Sequence, residues 1–346
     1  MSQTAYLVLE NGKTFRGLSF GADGAAAGEV VFTTGMTGYM RTLTDPCYSG
    51  QIVAQTFPLI GNSGVITGGA VPDGSHAAAY IVKEWCREPS NFQSEGDLDA
   101  FLRRRGIVGL EGIDTRALTK CLREQGVMRG CIVPDPACAD FSAPSARTSG
   151  AKGGAPYLIG GGNAKRAAAI DFGYVAPFAG ELASRGWEVT VFPPDAEARD
   201  IIAASPGGVL LSDGPADGGG TDAVKELLNA KIPLFGVGLG HILMARAYGL
   251  KTERLKYGHR GENLPVRDMS SGKVYITSQN HPEAVCEPRP GLNAKALFVN
   301  VNDNTDEGLE YLDAPAFSAN FRPGGRTAFL YGRFIRQMEV NANAAG

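Results

Sequence analysis

Between residues 166 and 247 the chain alternates apolar runs of strand length with amphipathic runs of helix length, and no other feature constrains the fold as much. AAAIDFG, EVTVFPP, GVLLSDG and PLFGVG read as strands. APFAGELASRG, ARDIIAAS, DAVKELLNA and HILMARAYG read as the helices that connect and follow them. Strands joined by crossover helices run parallel, and a doubly wound sheet of this kind receives ligands at the carboxyl ends of its strands. Attention therefore falls on the last strand–helix junction, IPLFGVGLGHILMARA at residues 232–247.

Three readings compete for that junction. A dinucleotide fingerprint needs G-x-G-x-x-G, so that the backbone approaches a pyrophosphate at the helix N-terminus. Gly236 and Gly238 meet the first half, but His241 stands where the third glycine belongs, and a Walker lysine is also missing. A nucleophile elbow needs small residues two positions before and after its apex, because the turn is strained and tightly packed. Gly236 and Gly240 have that spacing around Gly238, yet the apex itself carries no side chain. The third reading is a plain turn, and only the rest of the chain separates it from the elbow.

Composition excludes several classes. At 346 residues, with 43% hydrophobic content and a net charge of −3, the chain suits two globular domains. It has no basic cluster for nucleic acid and no apolar run long enough for a membrane span. The first residues enter an alternating strand pattern directly, without a signal-like segment. Cys47, Cys86, Cys121, Cys131, Cys138 and Cys286 form no CxxC pair, and no two of the four histidines have metal-ligand spacing. No metal, cofactor or disulfide framework is expected, and reduced thiols suit a cytoplasmic protein.

The flanks of the alternating stretch differ from it. From Tyr6 to about Val133 the pattern is strand-rich, with AYLVLE, GEVVFTT, GQIVAQTF and AAAYIVKEW separated by turn residues. Two helices interrupt it: GDLDAFLRRRG, with Leu98, Phe101 and Leu102 on one face, and DTRALTKCLREQG, with Asp114 as N-cap and Gly126 as stop. Residues 134–165 are rich in Ala, Ser, Pro and Gly and are expected to be a linker between domains at 1–133 and 166–346. After Lys256 short strands return, among them KVYITSQ, KALFVNV, LEYLDA and AFSANF.

GEVVFTTGMTGYMRTLTDPCYSGQIVAQTFPLIGN (residues 28–62), EPSNFQSEGDLDAFL and GIDTRALTKCLREQG closely resemble the N-terminal domain of carbamoyl phosphate synthetase small subunits. AIDFG, LSDGPAD, PLFGVGLGHILMARAYGLKTERLKYGHRGENLPV, ITSQNH and AFSANFRPGG resemble that family's class I glutamine amidotransferase domain. The resemblance implies an α/β chain. A strand-rich α/β domain would be followed by an amidotransferase-like domain with a central, mostly parallel sheet flanked by helices. It also implies glutamine hydrolysis by a Cys-His-Glu triad, with ammonia sent to a large synthetase subunit.

The matching positions depart from that chemistry. The family elbow reads G-[IV]-C-L-G-H-Q and a later strand end reads H-P-E. Here Gly238 stands at the thiol position, Arg322 at the histidine position and Gly324 at the glutamate position, with Pro323 kept. The family loop S-N-G-P-G-D-P, which supplies an oxyanion donor, is SDGPADG. It keeps Gly214, carries Asp213 before it, and has Ala216 in place of a glycine. Ile242 replaces the glutamine that contacts substrate; Pro282 and Glu283 replace a Gly-Phe pair, and a proline at 282 removes an N–H donor. Cys47 replaces a serine that reaches the substrate from the N-terminal domain, whereas Leu239 and Asn280 remain. His241 and His281 are expected to be structural, and His281-Pro282-Glu283 spells H-P-E by coincidence. Arg322, Asp213, Asp217 and Glu283 are expected to cluster where a neutral amide sat in the family.

Hydrolysis of glutamine by the family mechanism is therefore not expected. Two functions remain. The first is a non-catalytic partner or regulator of a synthetase-type large subunit that uses free ammonia. The second is a repurposed enzyme or binding protein for another small molecule, with Cys47, Asp213, Glu283 and Arg322 as its site. Co-purification with a large subunit would favour the first, and a small ligand that raises the melting temperature would favour the second.

Overall fold

A computed structural model describes residues 3–66, 77–142, 151, 153–162, 165–215, 220–286 and 293–344. The chain divides into two compact units, residues 1–148 and 149–346. No helix among the described residues is long and apolar enough to cross a membrane.

The first unit contains β1 (Thr4–Leu9), β2 (Thr14–Gly21), β3 (Ala26–Thr33), α1 (Tyr39–Thr44), β4 (Gln51–Gln55), β5 (Leu59–Ile60), β6 (Ala79–Val82), β7 (Glu84–Trp85), α2 (Leu98–Arg105), β8 (Val108–Glu111), α3 (Thr115–Gln125) and β9 (Met128–Val133). Seven of its strands close into a barrel in the order β1-β2-β8-β6-β4-β3-β9, which removes exposed sheet edges. Both expected helices form with the caps their sequences encode. The Asp97 carboxylate accepts from the Ala100 N–H at 2.8 Å and the Asp114 carboxylate from the Ala117 N–H at 2.9 Å. Leu98, Phe101 and Leu102 are buried against Phe20, Tyr80 and Trp85, whose Phe20–Trp85 pair stacks at 5.4 Å.

The second unit begins with β10 (Tyr157–Ile159), which lies inside the stretch expected as a linker and pairs as an antiparallel edge strand with β12. It continues with β11 (Arg166–Ile170), α4 (Ala176–Ser184), β12 (Glu188–Phe192), α5 (Ala198–Ala203), β13 (Val209–Leu211), α6 (Thr221–Asn229), β14 (Leu234–Val237) and α7 (Leu239–Ala247). After these come β15 (Thr252–Asp268), β16 (Val274–Val285), β17 (Ala294–Asn300), β18 (Asp306–Tyr311), β19 (Ala316–Ala319) and α8 (Phe329–Ala344). One sheet runs β10-β12-β11-β13-β14-β19-β18-β16-β15-β17. Its centre, β12 through β19, is parallel, and beyond β19 every pairing is antiparallel.

Strand alternation feeds two apolar layers. On one face Ala167, Ala169, Leu210, Phe235 and Phe317 pack with α4 and with Leu330, Tyr331, Phe334 and Met338 of α8. On the other, Ala168, Ile170, Leu211 and Leu234 pack with α5, α6 and α7. Burial on both faces explains why these strands read as continuous apolar runs. Two elements differ from the sequence reading. The expected short strands after Lys256 form as β16 to β19, but the stretch before them, through Asp268, belongs to a 17-residue strand, β15, broken only by register shifts against β16. The helix α8 has no counterpart in the reading, although its buried residues recur at helical spacing.

Candidate functional site at the glycine elbow

The β14–α7 junction is an elbow. Gly238 sits between strand and helix at φ 54° and ψ −114°, a conformation that side chains avoid. Its flanking glycines are required by close approach. A Cβ at Gly236 would lie 2.7 Å from the Gly240 carbonyl oxygen, and one at Gly240 would lie 2.5 Å from that of Leu211. The small residues thus let α7 start directly over the ends of β13 and β14.

The apex volume is not vacant. A Cβ built on Gly238 would fall 2.1 Å from Asp213 Oδ1 and 2.3 Å from Asp213 Cγ. Asp213 follows β13 and is buried. Its Oδ1 accepts from the N–H of Gly214 at 2.8 Å and from the N–H of Leu239, the first residue of α7, at 3.1 Å. Its Oδ2 accepts from Arg322 Nε at 2.8 Å, and the guanidinium carbon of Arg322 stands 4.2 Å from the centre of the Tyr174 ring. Arg322 is placed by the segment after β19, where its N–H donates to the Ser278 carbonyl at 2.9 Å. Gly324, in extended backbone, lies near this segment with open space around a hypothetical Cβ.

Asp213, Gly214, Leu239, Ile242, Asn280, Pro282 and Glu283, all singled out from sequence, line one cavity together with His281. Its volume is about 20 Å³, room for roughly one water molecule. The expected four-charge cluster is only partly formed. Arg322 meets Asp213, but Glu283 turns to Arg246 of α7, with Nη2 to Oε2 at 2.5 Å. Glu283 lies on β16, which packs against α7, and its carboxylate is taken up by Arg246 of that helix. Ala216 and Asp217 lie outside the described residues. Cys47 belongs to the first unit, in a single 3-10 turn (Pro46–Tyr48) where its N–H donates to the Asp45 carboxylate at 2.9 Å.

Both histidines expected to be structural have hydrogen-bond partners. His241 is fully buried behind the elbow with Nδ1 2.8 Å from the Ser318 hydroxyl. Burial pushes its pKa down to about 3, so it is neutral. His281 belongs to a second cluster that sequence spacing did not reveal. Residues far apart along the chain become cross-strand neighbours when β15 pairs with β16, setting His259 opposite His281. His259 Nδ1 is 2.8 Å from Glu307 Oε1 and its Nε2 is 2.7 Å from Asp303 Oδ2, while His281 Nε2 is 3.2 Å from Glu307 Oε2.

His259, His281 and Glu307 each present a ligand atom within 4.8 Å of the others, a geometry compatible with a cation. The same three side chains also interact strongly with one another. Burial lowers the pKa of His259, but its hydrogen bonds to Asp303 and Glu307 outweigh this and raise it to about 9. Burial raises that of Glu307, yet the two histidines hold it well below the usual carboxylate range. In the absence of a bound cation, the raised pKa keeps His259 protonated at neutral pH, so a metal binding here would have to displace that proton.

Residues 7–132 match the family described as carbamoyl-phosphate synthase small chain, CPSase domain, and residues 168–324 match glutamine amidotransferase class-I. A carbamoyl phosphate synthase small chain from Streptomyces avermitilis is 42% identical, over 97% of this chain and 96% of the relative. One from Bacillus caldolyticus is also 42% identical, over 92% and 90%. A third, from Clostridium perfringens, is 41% identical over 92% and 93%.

Proposed function

The chain belongs to the carbamoyl-phosphate synthase small-chain family, and from that premise we propose that it is a small chain without glutaminase activity, acting as partner to a synthetase-type large subunit that uses free ammonia. One observation carries this reading. The elbow apex is Gly238, and the volume that a nucleophilic side chain would need is held by the carboxylate of Asp213. A Cys-His-Glu mechanism needs a thiolate to attack the amide carbon, a histidine to shuttle the proton and a carboxylate to orient it. Gly238, Arg322 and Gly324 supply none of these. The guanidinium at 322 stays protonated across the physiological range and serves as neither base nor acid.

The cavity volume weighs against the other expected function. About 20 Å³ holds a water and no amino acid, and one wall of it is the buried Asp213 that pairs with Arg322. The first unit supports a partner role from another direction. Its family match spans residues 7–132, and its barrel and capped helices are complete despite the losses at the elbow.

The test is co-expression with a synthetase large chain from the same organism. Glutamate release from glutamine is expected at the level of a protein-free control. The two chains are expected to co-purify, and carbamoyl phosphate is expected to form with ammonium but not with glutamine. Glutamine-dependent synthesis at a rate near the ammonium-dependent one, or no association, overturns the reading.

A further inference from the structure

An elbow of this kind ordinarily turns two backbone N–H groups toward the oxygen on which charge develops: that of the residue after the apex and one from a neighbouring strand–helix loop. Here those groups are the amides of Leu239 and Gly214, and both donate to Asp213 Oδ1, at 3.1 Å and 2.8 Å. The other oxygen takes the Arg322 Nε–H at 2.8 Å. Leu239 opens the nine-residue helix α7, so its amide also carries the positive end of the helix dipole. The Asp213 side chain is 4% exposed and that of Arg322 is 10% exposed. A charged carboxylate is thus seated where water is nearly absent, with every contact named being a donor to it.

We propose that these groups form a carboxylate-binding site that the chain fills with its own Asp213, as a permanent internal oxyanion. The elbow is then closed by occupancy and not only by loss of a nucleophile. A carbonyl or carboxylate oxygen from solution reaches the two amides only by displacing a buried anion from its counter-ion. Tyr174 fixes both ends of the arrangement. Its N–H donates to the Asp213 carbonyl at 3.0 Å, and its ring lies against the Arg322 guanidinium. The geometry stands without the family reading. A protein found to release glutamate would sink that reading and leave the occupancy open to its own test.

The test is to vacate the site and offer a replacement. In the full chain, Asp213→Ala removes the carboxylate and leaves the amides and Arg322. The variant is expected to unfold several degrees below the parent. Sodium formate, compared with sodium chloride at equal ionic strength, is expected to restore much of that loss with saturation at millimolar concentration. The parent is expected to show no formate-specific shift, because its site is already full. Asp213→Ala combined with Arg322→Met is expected to lose the rescue. Absence of a formate effect in Asp213→Ala, an equal effect in the parent, or persistence of rescue without Arg322 each overturns the proposal. Should Asp213→Ala not fold, the isosteric Asp213→Asn is followed by amide NMR. Large upfield shifts of the Gly214 and Leu239 amide protons are expected when a charged acceptor becomes neutral, and unchanged shifts overturn it.

Discussion

Two buried charge clusters of the second unit invite comparison. At the elbow, Asp213 is held by two backbone amides and Arg322. Within the antiparallel part of the sheet, Glu307 is held by His259 and His281. Both acids are sequestered, and both have cationic partners. They differ in what surrounds them. Asp213 lies at the carboxyl ends of the parallel strands, beside a glycine whose missing side chain leaves the space it occupies. Glu307 lies between strands, completely buried, with its carboxylate answered by side chains from β15 and β16. The first cluster occupies a place where a ligand would sit, and the second braces the sheet that presents that place. The glycine at the elbow apex thus sits beside a bracing network whose own partners are all in place.

The largest effect expected follows from that contrast. Removing one partner from a fully buried ion pair leaves an uncompensated charge and costs about 3–5 kcal/mol. His259→Gln is expected to fall in this range by urea denaturation, because Glu307 keeps only His281. Arg322→Met is expected to cost roughly half as much, since two charge-assisted amide hydrogen bonds still hold Asp213. Equal losses would erase the distinction between a filled site and a brace.

Gly238→Ala tests the elbow more locally. The added Cβ meets Asp213 Oδ1 at 2.1 Å, and the positive φ adds its own penalty, together about 2 kcal/mol. The steric part depends on Asp213 and the backbone part does not. Combined with Asp213→Ala, the substitution is expected to cost less than the sum of the two single changes, with a coupling on the order of 1 kcal/mol. Additive costs would mean that the loop carrying Asp213 moves aside freely, and that it closes nothing.

The sequence shows the parallel centre of the sheet because strands buried on both faces are apolar throughout, as in AAAI and GVLL. Caps were legible at Asp114 because capping is a local hydrogen bond. The pocket residues were legible through the family resemblance, and seven of them do line one cavity. Closure of the barrel, by contrast, requires β1 to pair with β9 across most of the unit, and no local pattern encodes that. The His259–Glu307–His281 cluster was hidden for the same reason, since cross-strand register creates it. At Asp213 the residue type was visible but its target was not. Whether a carboxylate faces solvent, Glu283's cation or the elbow amides is decided by the rotamer and by the volume Gly238 leaves.

The smallest effect expected is a pH dependence that belongs to one cluster only. The pKa of His259 is raised to about 9 in the folded chain, above the 6.5 of an ordinary histidine. A group raised in this way contributes its full stability below about pH 6.5 and loses it as pH climbs through 9. Neutral, buried His241 acts with the opposite sign, since its pKa is lowered to about 3 and its contribution is lost as pH falls below 6.5. The low value for Glu307 also removes stability only in acid, below the ordinary carboxylate range. Between pH 6.5 and 8 the loss of the His259 contribution, on the order of 1 kcal/mol, outweighs the smaller gain still accruing from His241. The urea midpoint of the parent is expected to decline over that interval. His259→Gln is expected to flatten the decline, whereas Arg322→Met, which removes no partner of His259 and keeps the backbone bond to Ser278, is expected to keep it. A decline that survives His259→Gln, or disappears with Arg322→Met, would show that the two clusters titrate as one and that the elbow is not separable from its brace.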